Sequence, residues 1–262
     1  MKNVIKNIIA LLFLGLAAFF FRSDLESLWH KIQNNYFPCT MPIMYTLGAF
    51  DRRFGISKME FLRDVKIAEK IWEMPIKKEL FSYAPNGNST GDLVVNLIYD
   101  KRQAATINLQ KMDASIQATK ESYDAMKSKY DALKLRFEQD KNVLPREELN
   151  KEIDNLNSLV DALNALATTL NLNAVQLNKI SKQQGEFEEG TYYTGPEGDQ
   201  ISIYQFENQD KLVRVLAHEL GHALGLDHVA DPKAIMYRLN DGANEKLTAV
   251  DVKELKQKCG VK

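Results

Sequence analysis

His218-Glu219-Leu220-Gly221-His222-Ala223-Leu224-Gly225-Leu226-Asp227-His228 gathers three of the four histidines of a 262-residue chain into one short stretch. On an α-helix, residues four apart lie on one face about one turn from each other, so His218 and His222 can aim their imidazoles at a common point. A helix that ran straight on could not bring a third ligand to that point six residues later. Gly225 resolves this. A residue without a Cβ can take a left-handed conformation, end the helix and turn the chain so that His228 swings back underneath. Three neutral imidazoles suit one Zn²⁺ ion and leave part of its coordination for water. Glu219 adjoins the first ligand, placed to act as general base on a metal-activated water and to pass the proton to a leaving amine. The chemistry implied is peptide-bond hydrolysis with no covalent intermediate. An exposed polar helix face is the ordinary source of such a cluster. Five specified positions in so short a stretch, however, arise by chance in well under roughly one chain in a thousand of average composition.

The flanking sequence supplies a scaffold. Asp210 is positioned to cap a helix carrying Leu212, Val213, Leu216, Ala217 and Leu220 into the histidine stretch. Before it, Thr191-Tyr192-Tyr193 and Ile201 to Phe206 read as strands separated by the turn Gly195-Pro196-Glu197-Gly198. After it, Thr248 with Asp251 forms a capping box for a last helix through Val252 and Leu255. Further upstream, Pro42 to Leu47 reads as a strand, and Ser57 caps a helix whose apolar positions run from Phe61 to Trp72. Phe81 and Tyr83 suggest a short strand, and Leu93 to Tyr99 a stronger one. Asn88-Ser89-Thr90 matches a glycosylation sequon and marks an exposed loop.

Between these blocks the character changes. Residues 103–184 hold one proline, Pro145, and the next glycine is Gly185. Leu109, Met112, Ile116, Thr119, Tyr123, Met126, Tyr130, Leu133 and Phe137 follow alternating steps of three and four, a heptad register. A second seam runs through Leu149, Ile153, Leu156, Val160, Leu163, Ala167, Leu170, Ala174 and Leu177. With Asp140 to Pro145 as the turn, the spacing predicts two helices, each on the order of 50 Å long, folded into an antiparallel coiled-coil hairpin. Their apolar stripes serve first to pack on each other, and a protein partner docking there is a further expectation.

The set His218-Glu219-x-x-His222-x-x-Gly225-x-x-His228, followed by Ala234-Ile235-Met236-Tyr237, resembles the metzincin zinc endopeptidases, and within them the matrixin-like branch. The resemblance covers residues 39–102 and 185–262 and is most specific in the second block. It implies an α+β domain: a mixed twisted sheet, an active-site helix and a C-terminal helix, interrupted by the hairpin. It also implies that Met236 lies beneath the metal and that an extended peptide substrate adds to the sheet edge formed by the strands around residues 191–206. Tyr237 directly follows the methionine, as in matrixins, and is not expected to be a fifth ligand. Two departures stand out. Animal matrixins hold a second, structural zinc through histidines between their third and fourth strands; here that interval carries the hairpin and no histidine. One zinc is therefore expected, and a calcium site stays open. No pro-domain with a metal-blocking cysteine is recognisable, and Cys39 lies too close to the first strand to cross the cleft.

The N-terminus reads as an export signal. Lys2 and Lys6 precede the apolar run Ile8 to Phe21, which is closed by Arg22. Counted from Val4 the run is about 27 Å as a helix, enough to span a bilayer core. Counted from Ile8 it is a signal-peptide core. The uncleaved anchor is the preferred reading, with the catalytic domain outside the cytoplasm; cleavage would make the protein secreted. The expected organisation is residues 1–22 as anchor or signal peptide, 23–38 as a stalk containing His30, then 39–102, 103–184 and 185–262 as above. Outside the cytoplasm, Cys39 and Cys259 form either a long-range disulfide or two separate buried thiols, the disulfide being preferred. A formal net charge of -1, with no basic run, excludes an electrostatic case for nucleic acid. The competing reading is a membrane-tethered coiled-coil assembly protein whose protease domain is a scaffold with little turnover. An intact Glu219 argues against it.

Overall fold

The computed structural model describes residues 38–85, 93–184, 188–195, 198–239 and 246–261. The N-terminal segment 1–22, nearly all of the stalk with His30, and the sequon at Asn88 lie outside the described residues. Among the described residues no helix is long and apolar enough to cross a membrane. The chain divides into two compact units, one formed by the residues up to Gln103 together with Glu188 onward, the other by Ala104–Phe187.

The first unit is α+β. Its strands are β1 (Ile43–Phe50), β2 (Phe81–Tyr83), β3 (Leu93–Leu97), β4 (Gly190–Gly195) and β5 (Gly198–Ile203). They form one sheet in the order β2-β1-β3-β5-β4, parallel except for β4, which runs antiparallel to β5 and leaves one edge open. One face of the central strands is apolar and sealed, with Val95, Leu97, Ile201 and Ile203 buried, while the opposite face carries the polar Asn96 and Ser202, also buried. Helix α1 (Lys58–Ile76) begins at a complete capping box, with the Ser57 side chain accepting from the Glu60 N–H and Glu60 accepting from the Ser57 N–H. A further 3₁₀ turn, Arg52–Phe54, joins β1 to it.

Two more helices matter for the site. Numbered in chain order, α2 (Lys101–Asp140) and α3 (Arg146–Gln184) precede them, and α4 (Gln209–Ala223) and α5 (Ala249–Cys259) follow. Helix α4 packs on α1 and beneath β4 and β5, while α1 also meets α5. The α1–α4 packing carries a polar lock: the fully buried Trp72 donates its Nε1–H to the Ala217 carbonyl at 2.7 Å. An indole buried with its one donor satisfied adds orientation to a large apolar contact. Cys39 and Cys259 are joined by a disulfide, Cα atoms 5.2 Å apart, which ties the chain just before β1 to the end of α5.

The second unit consists of the two long helices. Every position of the first seam, from Leu109 to Phe137, is half-buried, while the residues between are almost all exposed. In α3 the half-buried positions are Leu149, Glu152, Leu156, Leu159, Ala162, Leu163, Leu166, Ala167, Leu170, Asn173, Ala174, Leu177 and Ile180. The expected Ile153 and Val160 are 38% and 37% exposed, and the covered stripe keeps its seven-residue repeat through 152, 159, 166, 173 and 180 instead.

Candidate metal centre

The histidines arrive as a set. His218 and His222 stand on the last turns of α4, and the helix ends at Leu224. Gly225 takes φ +78° and its N–H donates to the His222 carbonyl at 2.8 Å, while the Leu226 N–H reaches back to the Gly221 carbonyl at 3.0 Å. This left-handed stop reverses the chain and brings His228 under the helix. The three Nε2 atoms form a triangle with all sides 3.2 Å. A zinc ion with ligands at about 2.0–2.1 Å in tetrahedral geometry needs nitrogens roughly 3.3–3.4 Å apart, so the triangle fits one such ion. The ring orientation is fixed from behind. His218 Nδ1 lies 2.7 Å from the Ile235 carbonyl and His222 Nδ1 lies 2.9 Å from the Leu226 carbonyl. Those carbonyls can only accept, so each ring donates from Nδ1 and turns its Nε2 lone pair to the shared centre.

Electrostatics agree with neutral ligands. Burial holds His218 down to about 4, against the pull of the Ile235 carbonyl, and burial likewise lowers His222. Imidazoles that resist protonation are ready to ligate. Among the described residues, His218, His222 and His228 are the one group of three or more possible ligands close enough to share an ion.

Glu219 is 4% exposed and lies under the start of β4. Burial pushes its carboxyl up to about 8, the Glu188 carboxylate adds to this, and a hydrogen bond from the Tyr192 N–H opposes it. A divalent cation at the triangle works in the same direction as that hydrogen bond and favours the ionised form. The approach is close because Gly190 has no side chain: a Cβ there would stand 2.8 Å from Glu219 Oε1 and 3.0 Å from Val215 Cγ2.

Beneath the histidines runs a buried floor. Met236 is fully buried, and the Val229 N–H donates to its carbonyl at 2.9 Å. The floor is pinned by Asp251, also fully buried, which accepts from the Ile235 N–H at 3.0 Å, the Met236 N–H at 3.1 Å and the Thr248 N–H at 2.8 Å. Arg214, on α4, donates to the Ala234 carbonyl at 2.8 Å from within the core. Gly221 completes the fit, since a Cβ there would collide with the Met236 sulfur and come within 2.8 Å of the Trp72 ring.

Sequence reasoning placed His218, His222, His228, Glu219, Gly225 and Met236 in one neighbourhood, and all six lie there. It missed Gly190, Gly221, Arg214 and the second task of Asp251. A glycine in mid-helix at 221 was the one local signal of close packing. Two details differ: the α4 cap is Asn208, which accepts from the Lys211 N–H at 2.9 Å, so Asp210 falls in the first turn, and β5 ends at Ile203 rather than Phe206.

A family model described as matrixin matches residues 101–259, more than half of the chain. No curated protein matches it.

Proposed function

The chain belongs to the matrixin family, and from that premise we propose that it is an exported zinc endopeptidase with Glu219 as general base and a single catalytic metal held by His218, His222 and His228. The observation that carries this reading is the equilateral triangle of Nε2 atoms beside a buried carboxylate on the same helix. A matrixin acts on peptide bonds and uses a catalytic zinc, which, when bound, supplies a Lewis acid for the carbonyl and makes water acidic near neutral pH. The residues supply the remainder. Glu219 accepts the proton of the attacking water and returns it to the amine that leaves. The Tyr192 N–H holds that carboxylate in place, and the open edge of β4 offers main-chain partners to an extended peptide.

Two further parts of the reading rest on the sequence pattern. The long helices pair as an antiparallel coiled coil, supported by the half-buried stripe on each. The apolar run Ile8 to Phe21 behind Lys2 and Lys6 anchors the chain with its catalytic unit outside the cytoplasm. Glu219→Ala tests the central claim. Zinc content by elemental analysis should stay at one per chain while cleavage of a quenched peptide library falls by at least about 10²-fold. Unchanged cleavage would remove Glu219 from the mechanism, and an inactive wild-type chain with full zinc would leave the protease unit as a scaffold.

A further inference from the structure

A cavity of about 370 Å³ lies beside the proposed ligand His222, with Tyr192 also on its wall. Its apolar surface includes Met41, Ile43 and Leu224. One polar wall is already committed: the Thr194 hydroxyl donates to the Tyr192 oxygen at 3.0 Å, and the Tyr192 hydroxyl donates to Asp199 Oδ2 at 2.8 Å. The other oxygen of Asp199 is wholly covered and makes no hydrogen bond, so a ligand in the cavity cannot reach it.

Lys258 is different. Its ammonium also borders the cavity, and it stands directly over the turn after α4: a Cβ at Gly225 would come 2.6 Å from Nζ and 2.9 Å from Cε. Gly225 therefore does two things, giving the chain its φ of +78° and leaving room for the lysine. No hydrogen bond or ion pair within the described residues engages Lys258 Nζ. The next residue, Cys259, is bonded to Cys39, so the segment bearing Met41 and the helix end bearing Lys258 are fixed to each other across the cavity.

We propose that this cavity is a substrate subsite and that Lys258 is its specificity residue, selecting a Glu or Asp side chain at one fixed position of the bound peptide. The proposal rests on the endopeptidase reading. A volume of this size admits a whole side chain, and the ammonium of the half-buried Lys258, bordering the cavity, discriminates an ionised acceptor from its neutral isostere. The apolar surface accepts the methylenes of the same side chain.

The test uses the full chain and quenched peptides that differ at a single position, Glu, Gln or Lys, scanned along both sides of the cut. At one position wild type should prefer Glu to Gln by roughly tenfold in kcat/KM, with Lys poorer still. Lys258→Glu should invert the order of the Glu and Lys peptides there and nowhere else, and Lys258→Met should bring the Glu-to-Gln ratio near one. The same peptides are titrated by fluorescence anisotropy against Glu219→Ala, in which binding is read without turnover. Cleavage with no position sensitive to Lys258 overturns the subsite while leaving the protease standing. Selective Glu-peptide binding to Glu219→Ala, with no cleavage by wild type, does the reverse. Loss of the thermal transition in Lys258→Glu shifts the decision to Lys258→Met, whose unchanged ratio would also overturn the proposal.

Discussion

The floor under the histidines and the half-buried stripes of α2 and α3 are both partly withdrawn from water, but by burial of opposite kinds. Around the metal centre, Trp72, Leu216, Met236 and Asp251 are completely sealed, and their polar atoms are spent on named backbone partners. Among the described side chains of residues 104–180 no apolar one reaches that depth, and the hydrogen bonds outside the helix ladders mostly join a side chain to its own helix, as Thr119 does with the Ser115 carbonyl at 2.8 Å. One region is specified by a few irreplaceable contacts. The other is specified by repetition, each step of which contributes a little.

That contrast can be broken by experiment, beginning with the strongest test. Asp251→Ala strands the buried N–H groups of Ile235 and Met236 and the part-buried one of Thr248 at once. It should cost about 3–5 kcal/mol by urea unfolding and weaken zinc retention against a chelator. Gly221→Ala drives a methyl into Met236 and Trp72 and should cost about 1–3 kcal/mol, visible as a lower Tm. Leu133→Ala, on the half-buried stripe, should cost roughly 1 kcal/mol. Its mark should be faster hydrogen exchange confined to the long helices, with zinc content unchanged. Altered zinc affinity in that variant would show that the two kinds of burial are not independent. At the small end, Lys127→Ala removes an ion pair to Asp131 whose side chains are 53% and 56% exposed, and the urea midpoint should not move measurably.

A pH measurement sharpens the same comparison, because buried carboxyls lie in the first unit. Glu69 is 8% exposed between α1 and β1, and burial raises its pKa, with the Tyr45 hydroxyl opposing the rise. The folded state then binds more protons than the unfolded one once the pH passes the ordinary carboxyl value near 4.5. Stability from this group is therefore complete below that pH and is lost as pH climbs through the raised value. Glu69→Gln should flatten that part of the urea-midpoint profile, and an unaltered slope would assign it to other carboxyls.

Elements that depend on near neighbours in sequence were legible. The capping boxes at Ser57–Glu60 and Thr248–Asp251, the left-handed stop at Gly225 and the stripe from Leu109 to Phe137 follow from spacing alone. The convergence of three imidazoles was readable because one glycine turn creates it. What escaped is contact between distant segments. Gly190 touches Glu219 only because β4 crosses α4, and Asp251 reaches Ile235 and Met236 only once α5 is docked. No periodicity encodes those meetings. In α3 the spacing of seven is kept, but the repeat runs through Glu152, Leu159, Leu166 and Asn173 rather than Ile153 and Val160, because the most apolar candidate at each step need not be the one that faces inward.

The bridge between Cys39 and Cys259 encloses nearly every described residue, with a sequence separation of 220. One backbone cut anywhere inside that loop, including a cut made by a second copy of the same enzyme, leaves a single covalent molecule. Such nicked chains should migrate as intact protein on non-reducing gels and fall into two pieces only when thiol is added. Autolysis would then be invisible to any assay that does not reduce the sample.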